Sequence, residues 1–449
     1  MRARWVEDSA SAPASATSRM AILALVVAGF GATLWVFHPG IVTYDARYIY
    51  LDIGKGFYGD WQSPVMAWLW KLVDPIAPGP GSILILTALI YWAAFLALAL
   101  TLARRSVRLG LIVPLLALSP PAFVLLGVIW RDILFASVWL LAAVIALAAT
   151  DRPRRLRLAL QILASALFVL GVLLRPNALA AAPLLGAYML WPTRFSWRRA
   201  ALLYVPLALG LFAIVQGIYY GAFGAARQNP LHSILVFDLG GISHFSGENQ
   251  FPVTWTEEET ALVTRGCYKP MAWDFYWTHQ PCLFVMERLE TEKIFGRPAL
   301  VAAWRQAVLE HPVAYLQHRL AYSWNFFVKL NQTMWIYDLD DPTKILFAEG
   351  SRLMALMEFH DLFKPTPIYR PGFWLLLNLA LCAYAWTRRD TPDGAFGLCV
   401  CGSSVLYLAS FVPLGVASDY RYAYWAVLTG LAGLAVVPPW TRRSPPEAA

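Results

Sequence analysis

Residues 43–70 read TYDARYIYLDIGKGFYGDWQSPVMAWLW. Three carboxylates, Asp45, Asp52 and Asp60, stand among aromatic residues, and a Ser63-Pro64 step opens a second, Trp-rich helical segment. Two long apolar runs bound the stretch, Met20 to His38 before it and Gly81 to Ala103 after it. A transmembrane helix takes about 20 apolar residues. Both runs are therefore candidate spans, and the polar stretch between them reads as a loop at a membrane surface.

Composition supports this frame. The 449 residues are 59% hydrophobic and 14% charged, with a mean hydropathy of +0.53, whereas a soluble domain is nearer a quarter charged. The net charge of +8 could suit a nucleic acid. Its distribution argues against that partner, because the arginines sit in short clusters between apolar runs, as membrane topology requires. Twenty tryptophans and twenty tyrosines suit a protein with much surface at the headgroup level. The polar start, MRARWVEDSASAPASATSR, precedes an apolar run with no small-residue cleavage site after it, which predicts a signal anchor.

Continuing along the chain, Leu109 to Trp130 is a third span kinked at Pro120-Pro121, and Ile133 to Thr150 a fourth. Leu158 to Leu174 and Ala178 to Trp191 are a fifth and sixth, meeting at Arg175-Pro176-Asn177, and Ala201 to Phe223 is a seventh. Gly372 to Trp386, Gly394 to Leu414 and Tyr424 to Trp440 bring the expected number to about ten. With the N-terminus inside, the arginine clusters at 104–108, 152–157, 194–199, 388–389 and 442–443 all fall on the cytoplasmic side. The Asp45 loop, the Arg131-Asp132 turn, the Arg175 turn and Ser418 to Tyr422 then fall outside. The expected organisation is a cytoplasmic tail (1–19), an N-terminal membrane domain (20–223) with its first external loop at 39–80, an external domain (224–371), C-terminal spans (372–440) and a cytoplasmic tail (441–449).

The external segment is too long for an ordinary loop and predicts structure of its own. Thr256 followed by three glutamates reads as a helix start, and Pro298 to Glu310 and Pro312 to Lys329 read as amphipathic helices that lie along the membrane or cap the bundle. Cys267 and Cys282 are the two cysteines of this segment, in what the topology makes an oxidising compartment. A disulfide there closes a loop of about 15 residues, worth roughly 3 kcal/mol in the chain-entropy account; two free thiols are the alternative. Cys382, Cys399 and Cys401 lie in spans, as packing residues. Asn331-Gln332-Thr333 matches the glycosylation sequon.

Several polar residues are candidates for chemistry. If Tyr44 to Leu51 is helical, Asp45, Tyr48 and Asp52 share one face, and Asp45 lies in the first turn, where the helix dipole favours an ionised carboxylate. Such a group can take a proton from an acceptor hydroxyl or help hold a divalent cation; the plainer alternative is that it caps the helix. Asp60 reads first as an ordinary N-cap for the helix opened by Pro64. Arg131, Arg175, Arg319 and Arg421 stand at membrane edges, where a charge is expensive and has a partner or a task. Guanidinium groups clamp phosphates bidentately. The alternative is pairing, Arg131 with Asp132 and Arg421 with Asp419, or snorkelling. The histidines show no metal-ligand spacing, and no Gly-rich phosphate loop or nucleophile elbow is present.

The segments YDARYIY, DWQSPVMAWLW, IWRDILFA, LLRPNAL and SDYRYAYW, in that order along the topology, resemble the GT-C class of membrane glycosyltransferases. That group contains the protein O-mannosyltransferases and the aminoarabinose transferase of lipid A. The resemblance implies an all-α polytopic fold, a location in the bacterial inner membrane with the active site external, and a polyprenyl-phosphate sugar donor. It maps the catalytic aspartate to Asp45 and implies that Arg175 and Arg421 neutralise the leaving phosphate. Asp60, Tyr48, Arg131 and Tyr422 join them as candidate substrate-binding residues. Gln62-Ser63 stands where bacterial relatives frequently have His-Pro, and Ala46 follows Asp45 where many have an acidic pair, so a divalent metal, with Asp45 as its ligand if there is one, does not carry over. The acceptor is a lipid, a glycan or a protein. A flippase for lipid-linked glycans would use the same arginines without chemistry, but no internal repeat of the kind common in transporters is visible. An envelope-assembly scaffold, binding a partner through the external segment, is the third reading.

Overall fold

The computed structural model describes residues 15–329 and 351–438. Most of the N-terminal tail, the Asn331 sequon, Arg442 and Arg443, the last residues of the tenth apolar segment and the C-terminal tail lie outside the described residues. Those described are all-helical, with three isolated backbone bridges and no β-ladder.

The first half runs α1 (Ala16–Phe37), α2 (Tyr44–Lys55), α3 (Pro64–Val73), α4 (Pro80–Ala103), α5 (Val107–Ala117), α6 (Pro120–Leu126), α7 (Arg131–Ala149), α8 (Arg154–Leu174), α9 (Ala182–Leu190) and α10 (Trp197–Gln216). The described residues that follow form α11 (His232–Ser246), α12 (Glu257–Ala261), α13 (Phe275–Thr278), α14 (Phe284–Thr291), α15 (Pro298–Glu310), α16 (Pro312–Phe327) and α17 (Ser351–Phe363). Then come α18 (Pro371–Trp386), α19 (Pro392–Phe396), α20 (Gly402–Leu414) and α21 (Tyr424–Val436).

In their described residues all ten apolar segments are helical, and the chain is an all-α, multi-span membrane protein. Among the described residues six helices are long and apolar enough to cross a bilayer unaided, and seven if α5 and α6 count as one span bent by 54°. The difference from ten has a geometric cause. α9 is nine residues long, a rise of about 14 Å against a hydrocarbon core of about 30 Å, because Pro176 breaks the chain into a 3₁₀ turn before it. α18 and α21 are likewise shorter than a full span, at 16 and 13 residues.

Small residues let the spans approach. Trp139 of α7 stacks on Phe168 of α8 and meets Trp425 of α21 edge-on, and it fits because Gly171 leaves room: a Cβ there would lie 2.1 Å from the indole. Between α1 and α4, the Trp92 indole donates to Thr33 Oγ1 at 2.9 Å, and that hydroxyl donates back to Gly29 O. These paired donors leave little polar surface toward lipid. α7 and α21 are the enclosed helices of the bundle, and α10 is peripheral.

Arg105 and Arg388 converge on Asp393, at 2.6 and 4.0 Å. These residues, with Arg152 to Arg157 and Arg194 to Arg199, belong to the turns and adjoining helix ends at one end of the bundle. The residue 43–70 stretch, the start of α7, the end of α8 and the start of α21 belong to the opposite end.

At that opposite end α16 packs on α11, α18 and α20. A buried cluster locks the contact: Asp238 accepts from Trp304 Nε1 at 2.7 Å and pairs with His318 at 3.0 Å and Arg319 at 2.5 Å. Arg319 reaches on to the Gly415 carbonyl at 2.8 Å. The chain from 271 to 273 then runs beside 416–418, through Trp273 N to Val416 O and Ser418 N to Met271 O. The loop that carries Asp419 and Arg421 is thus held from residues far away in sequence. Cys267 and Cys282 are joined as a disulfide, and the loop it closes contains Trp273, Asp274 and Trp277.

Candidate active site

α2 begins at Thr43, whose hydroxyl accepts from Ala46 N, and it stops at Gly56, which takes the left-handed conformation (φ +67°) that a side chain disfavours. Thr43 is therefore the cap, and Asp45 is free for another task in the first turn. α3 is capped by Ser63, which accepts from Met66 N at 3.2 Å. Asp60 is not the N-cap anticipated for that helix.

Asp45 uses both carboxylate oxygens. Oδ2 lies 2.7 Å from Arg421 Nη1, and Oδ1 accepts from Gln62 Nε2 at 3.1 Å. Arg421 is held in turn by Asp419, which pairs with its Nε at 3.1 Å and accepts from its backbone N at 3.0 Å. Its guanidinium lies over the rings of Trp130 (4.6 Å) and Tyr422 (5.2 Å).

Arg175, at the end of α8, pairs with Asp132 at 3.1 Å, with both side chains buried. It reaches Tyr407 Oη at 3.4 Å and lies over the opposite neighbour of Arg421, the Tyr422 ring, at 5.2 Å. Both guanidinium groups therefore lie against the Tyr422 ring. Arg131 donates to the Trp61 carbonyl at 2.9 Å. The anticipated pairing of Arg131 with Asp132 is replaced by Arg175 with Asp132, because adjacent residues on a helix do not face each other. Asp419 with Arg421 is found as that alternative supposed.

Charge settles the protonation of the pieces. Burial pushes the Asp45 carboxyl up, and the combined pull of Arg421, Arg131 and Arg175 outweighs it, leaving it below the ordinary value. Asp419 is pushed up to about 6 by burial, only partly offset by Arg421. Asp274 is also pushed up to about 6, first by burial and then by the nearby negative charge of Asp45. Burial disfavours the Arg175 cation, but Asp132, Tyr407 and Tyr422 more than compensate, so its pKa lies above the ordinary one.

Asp45, Arg131, Arg175, Arg421 and Tyr422 thus share one electrostatic cluster. Asp60 and Tyr48 are turned elsewhere. The Asp60 carboxylate accepts from Tyr220 Oη at 2.8 Å and from Gln228 N at 2.6 Å, pinning the stretch to the chain after α10. Tyr48 is exposed and takes the Tyr44 hydroxyl at 3.0 Å. Gln62, Asp132, Trp130, Tyr407 and Asp274 belong to the cluster and were not among the sequence candidates. Gln62 carried a signal as the departure from the His-Pro pattern, and Trp130 and Asp132 carried one as members of the IWRDILFA segment.

A metal does not fit. Among the described residues no group of three or more His, Cys, Asp or Glu side chains is placed to hold an ion, and both oxygens of Asp45 face cationic or amide donors. The arrangement suits an anion brought to Arg175, Tyr422 and Arg421 and a hydroxyl brought to Asp45.

No family model matches the chain, and no curated protein matches it. Among solved structures it is similar to the crystal structure of ArnT from Cupriavidus metallidurans bound to undecaprenyl phosphate, at 14% identity over 94% of this chain and 78% of that chain, with a TM-score of 0.34. The bound lipid is of the polyprenyl-phosphate class.

Proposed function

We propose that this chain is a GT-C-type glycosyltransferase that moves a sugar from a polyprenyl-phosphate donor to a hydroxyl acceptor. The observation that carries the proposal is the ion pair between Asp45 and Arg421, set beside Arg175, Tyr422 and Arg131. A carboxylate and a phosphate-binding guanidinium in direct contact are the two halves of an inverting displacement. The donor phosphate competes with Asp45 for Arg421. As it does so, Asp45 loses its main cationic partner and becomes a stronger base. The acceptor oxygen attacks the anomeric carbon while the bond from that carbon to the phosphate oxygen breaks. The hydroxyl proton passes to Asp45. The bonding pair leaves on the polyprenyl phosphate, whose new charge Arg421 and Arg175 stabilise, a term large in such transfers.

We place the site on the outer face of the bacterial inner membrane. Two features support that side: the described arginine clusters lie at the opposite end of the bundle, and the disulfide belongs to an oxidising compartment. The test is incubation of the purified protein with a panel of polyprenyl-phosphate sugars and a hydroxyl acceptor mixture, following free polyprenyl phosphate. Release of that lipid supports transfer; movement of intact donor across a vesicle bilayer without release would make the protein a flippase instead.

A further inference from the structure

The two oxygens of Asp45 open onto different surroundings. Oδ2 faces Arg421, with Tyr422 and Arg175 beyond it. Oδ1 faces Gln62, and next to Gln62 a chain of aromatic rings begins. Trp61 lies 5.8 Å from Trp273, Trp273 lies 5.9 Å from Trp277, Trp277 lies 5.9 Å from Tyr44, and Tyr44 lies 4.6 Å from Tyr48. Three separate segments of chain supply these rings. Trp61, Trp277 and Tyr44 are half-buried and Tyr48 is exposed, so the run reaches solvent instead of closing into the core.

Polar groups accompany the rings. Asp274 stands between Trp273 and Trp277 in sequence and is close enough to Asp45 to sense its charge. The indole N–H of Trp277 and the amide oxygen of Gln62 are buried without a hydrogen-bond partner among the described residues, and an unmade hydrogen bond at a buried group is costly. Both belong to this run, at its middle and at its start. The segment that carries Trp273, Asp274 and Trp277 is doubly fixed, by the Cys267–Cys282 disulfide and by the backbone bonds to 416–418.

We propose that this aromatic run is a saccharide subsite that seats the sugar ring carrying the acceptor hydroxyl. The proposal deepens the transferase reading and rests on it for the word acceptor. A pyranose has an apolar C–H face that stacks on an indole, and a hydroxyl rim that needs a carboxylate, an amide oxygen and an N–H donor. Those groups are Asp274, Gln62 and Trp277. An alkyl chain would leave the buried amide oxygen of Gln62 and N–H of Trp277 unpaired, so the chemistry selects a glycan over a sugar-free lipid. The split at Asp45 also gives the right order, with the phosphate on the Arg421 side and the acceptor ring on the Gln62 side.

The test measures binding, without a donor and without turnover. Full-length protein carrying Asp45→Asn, in nanodiscs, is titrated with reducing-end-labelled cellotetraose, chitotetraose and mannotetraose, with labelled dodecanol as the sugar-free control. At least one tetrasaccharide should bind, Trp277→Ala should weaken it about tenfold, and Trp277→Phe, which keeps a stacking face but loses the N–H donor, should weaken it by less than Trp277→Ala. Absence of binding by all three, binding unchanged by Trp277→Ala, or equal binding of dodecanol would overturn the proposal. Because nothing is turned over, saccharide binding that survives alongside a failed transfer assay would refute the transferase reading and leave the subsite standing.

Discussion

Asp45 and Arg421, separated by 376 positions in the chain, are in direct ionic contact at 2.7 Å. The contact joins the first polar loop to the turn before the last helix, and neither end is placed by local structure alone. α2 aims Asp45 from its first turn, while the cluster of Asp238, His318 and Arg319 holds the backbone at Gly415 that leads to Arg421. A Cβ at Gly415 would fall 1.9 Å from the Tyr322 hydroxyl, so that turn also needs a glycine.

The pair of Arg175 and Asp132 has two duties that mutation separates. Both are buried, so Arg175→Ala leaves an unpaired carboxylate and should cost about 3–5 kcal/mol of stability. Adding Asp132→Asn should restore much of that stability without restoring transfer, because the phosphate still lacks its second guanidinium. Thermal unfolding in detergent alongside the transfer assay checks this; recovery of activity in the double variant would show that Arg175 has only a packing role.

Asp60 should behave as a structural pin. Asp60→Asn or Tyr220→Phe removes one charge-assisted bond to the chain after α10, a loss of about 1.5–3 kcal/mol. Melting temperature should fall while the KM for the donor stays near the wild-type value. A large rise in donor KM with unchanged melting would return Asp60 to the substrate-binding set.

The pH profile follows from two raised carboxyls. Asp419 and Asp274 both titrate at about 6, whereas Asp45 lies below the ordinary value and is already ionised there. Transfer should therefore rise with pH through about 6 as Asp419 takes up its charge opposite Arg421, with the macroscopic limb shared between the two acids. Stability runs the other way for these groups. Their folded pKa exceeds the unfolded 3.8, so their contribution is fully present below that value and is lost as pH rises through about 6. Asp274→Asn should then melt above wild type at pH 7.5, with the gap narrowing below pH 6. A gap that widens on acidification would contradict the assignment.

The apolar runs made the spans legible, and the arginine clusters made the two ends of the bundle legible, because both signals are local in the chain. Asp45, Arg175 and Arg421 stood out for the same reason: each is a charge at the edge of an apolar segment. Partners were harder to read. Arg131 and Asp132 are neighbours in sequence but diverge on the helix, and the true partner of Asp132 comes from the far end of α8. Asp274 and its flanking tryptophans lie in a segment with no periodic pattern, and only the disulfide loop and the bonds to 416–418 bring them to the site. The shortness of α9 was hidden because apolar composition continues through a 3₁₀ turn that interrupts the helix.

The most direct measurement compares wild type with Asp45→Asn, using the purified protein and the polyprenyl-phosphate sugar that supports turnover, and follows release of polyprenyl phosphate. Asn keeps the size of the side chain and the bond from Gln62 but cannot take the proton. The account predicts a variant that is folded, still binds donor, and transfers about 10²–10⁴-fold more slowly. Release at a near wild-type rate would contradict it.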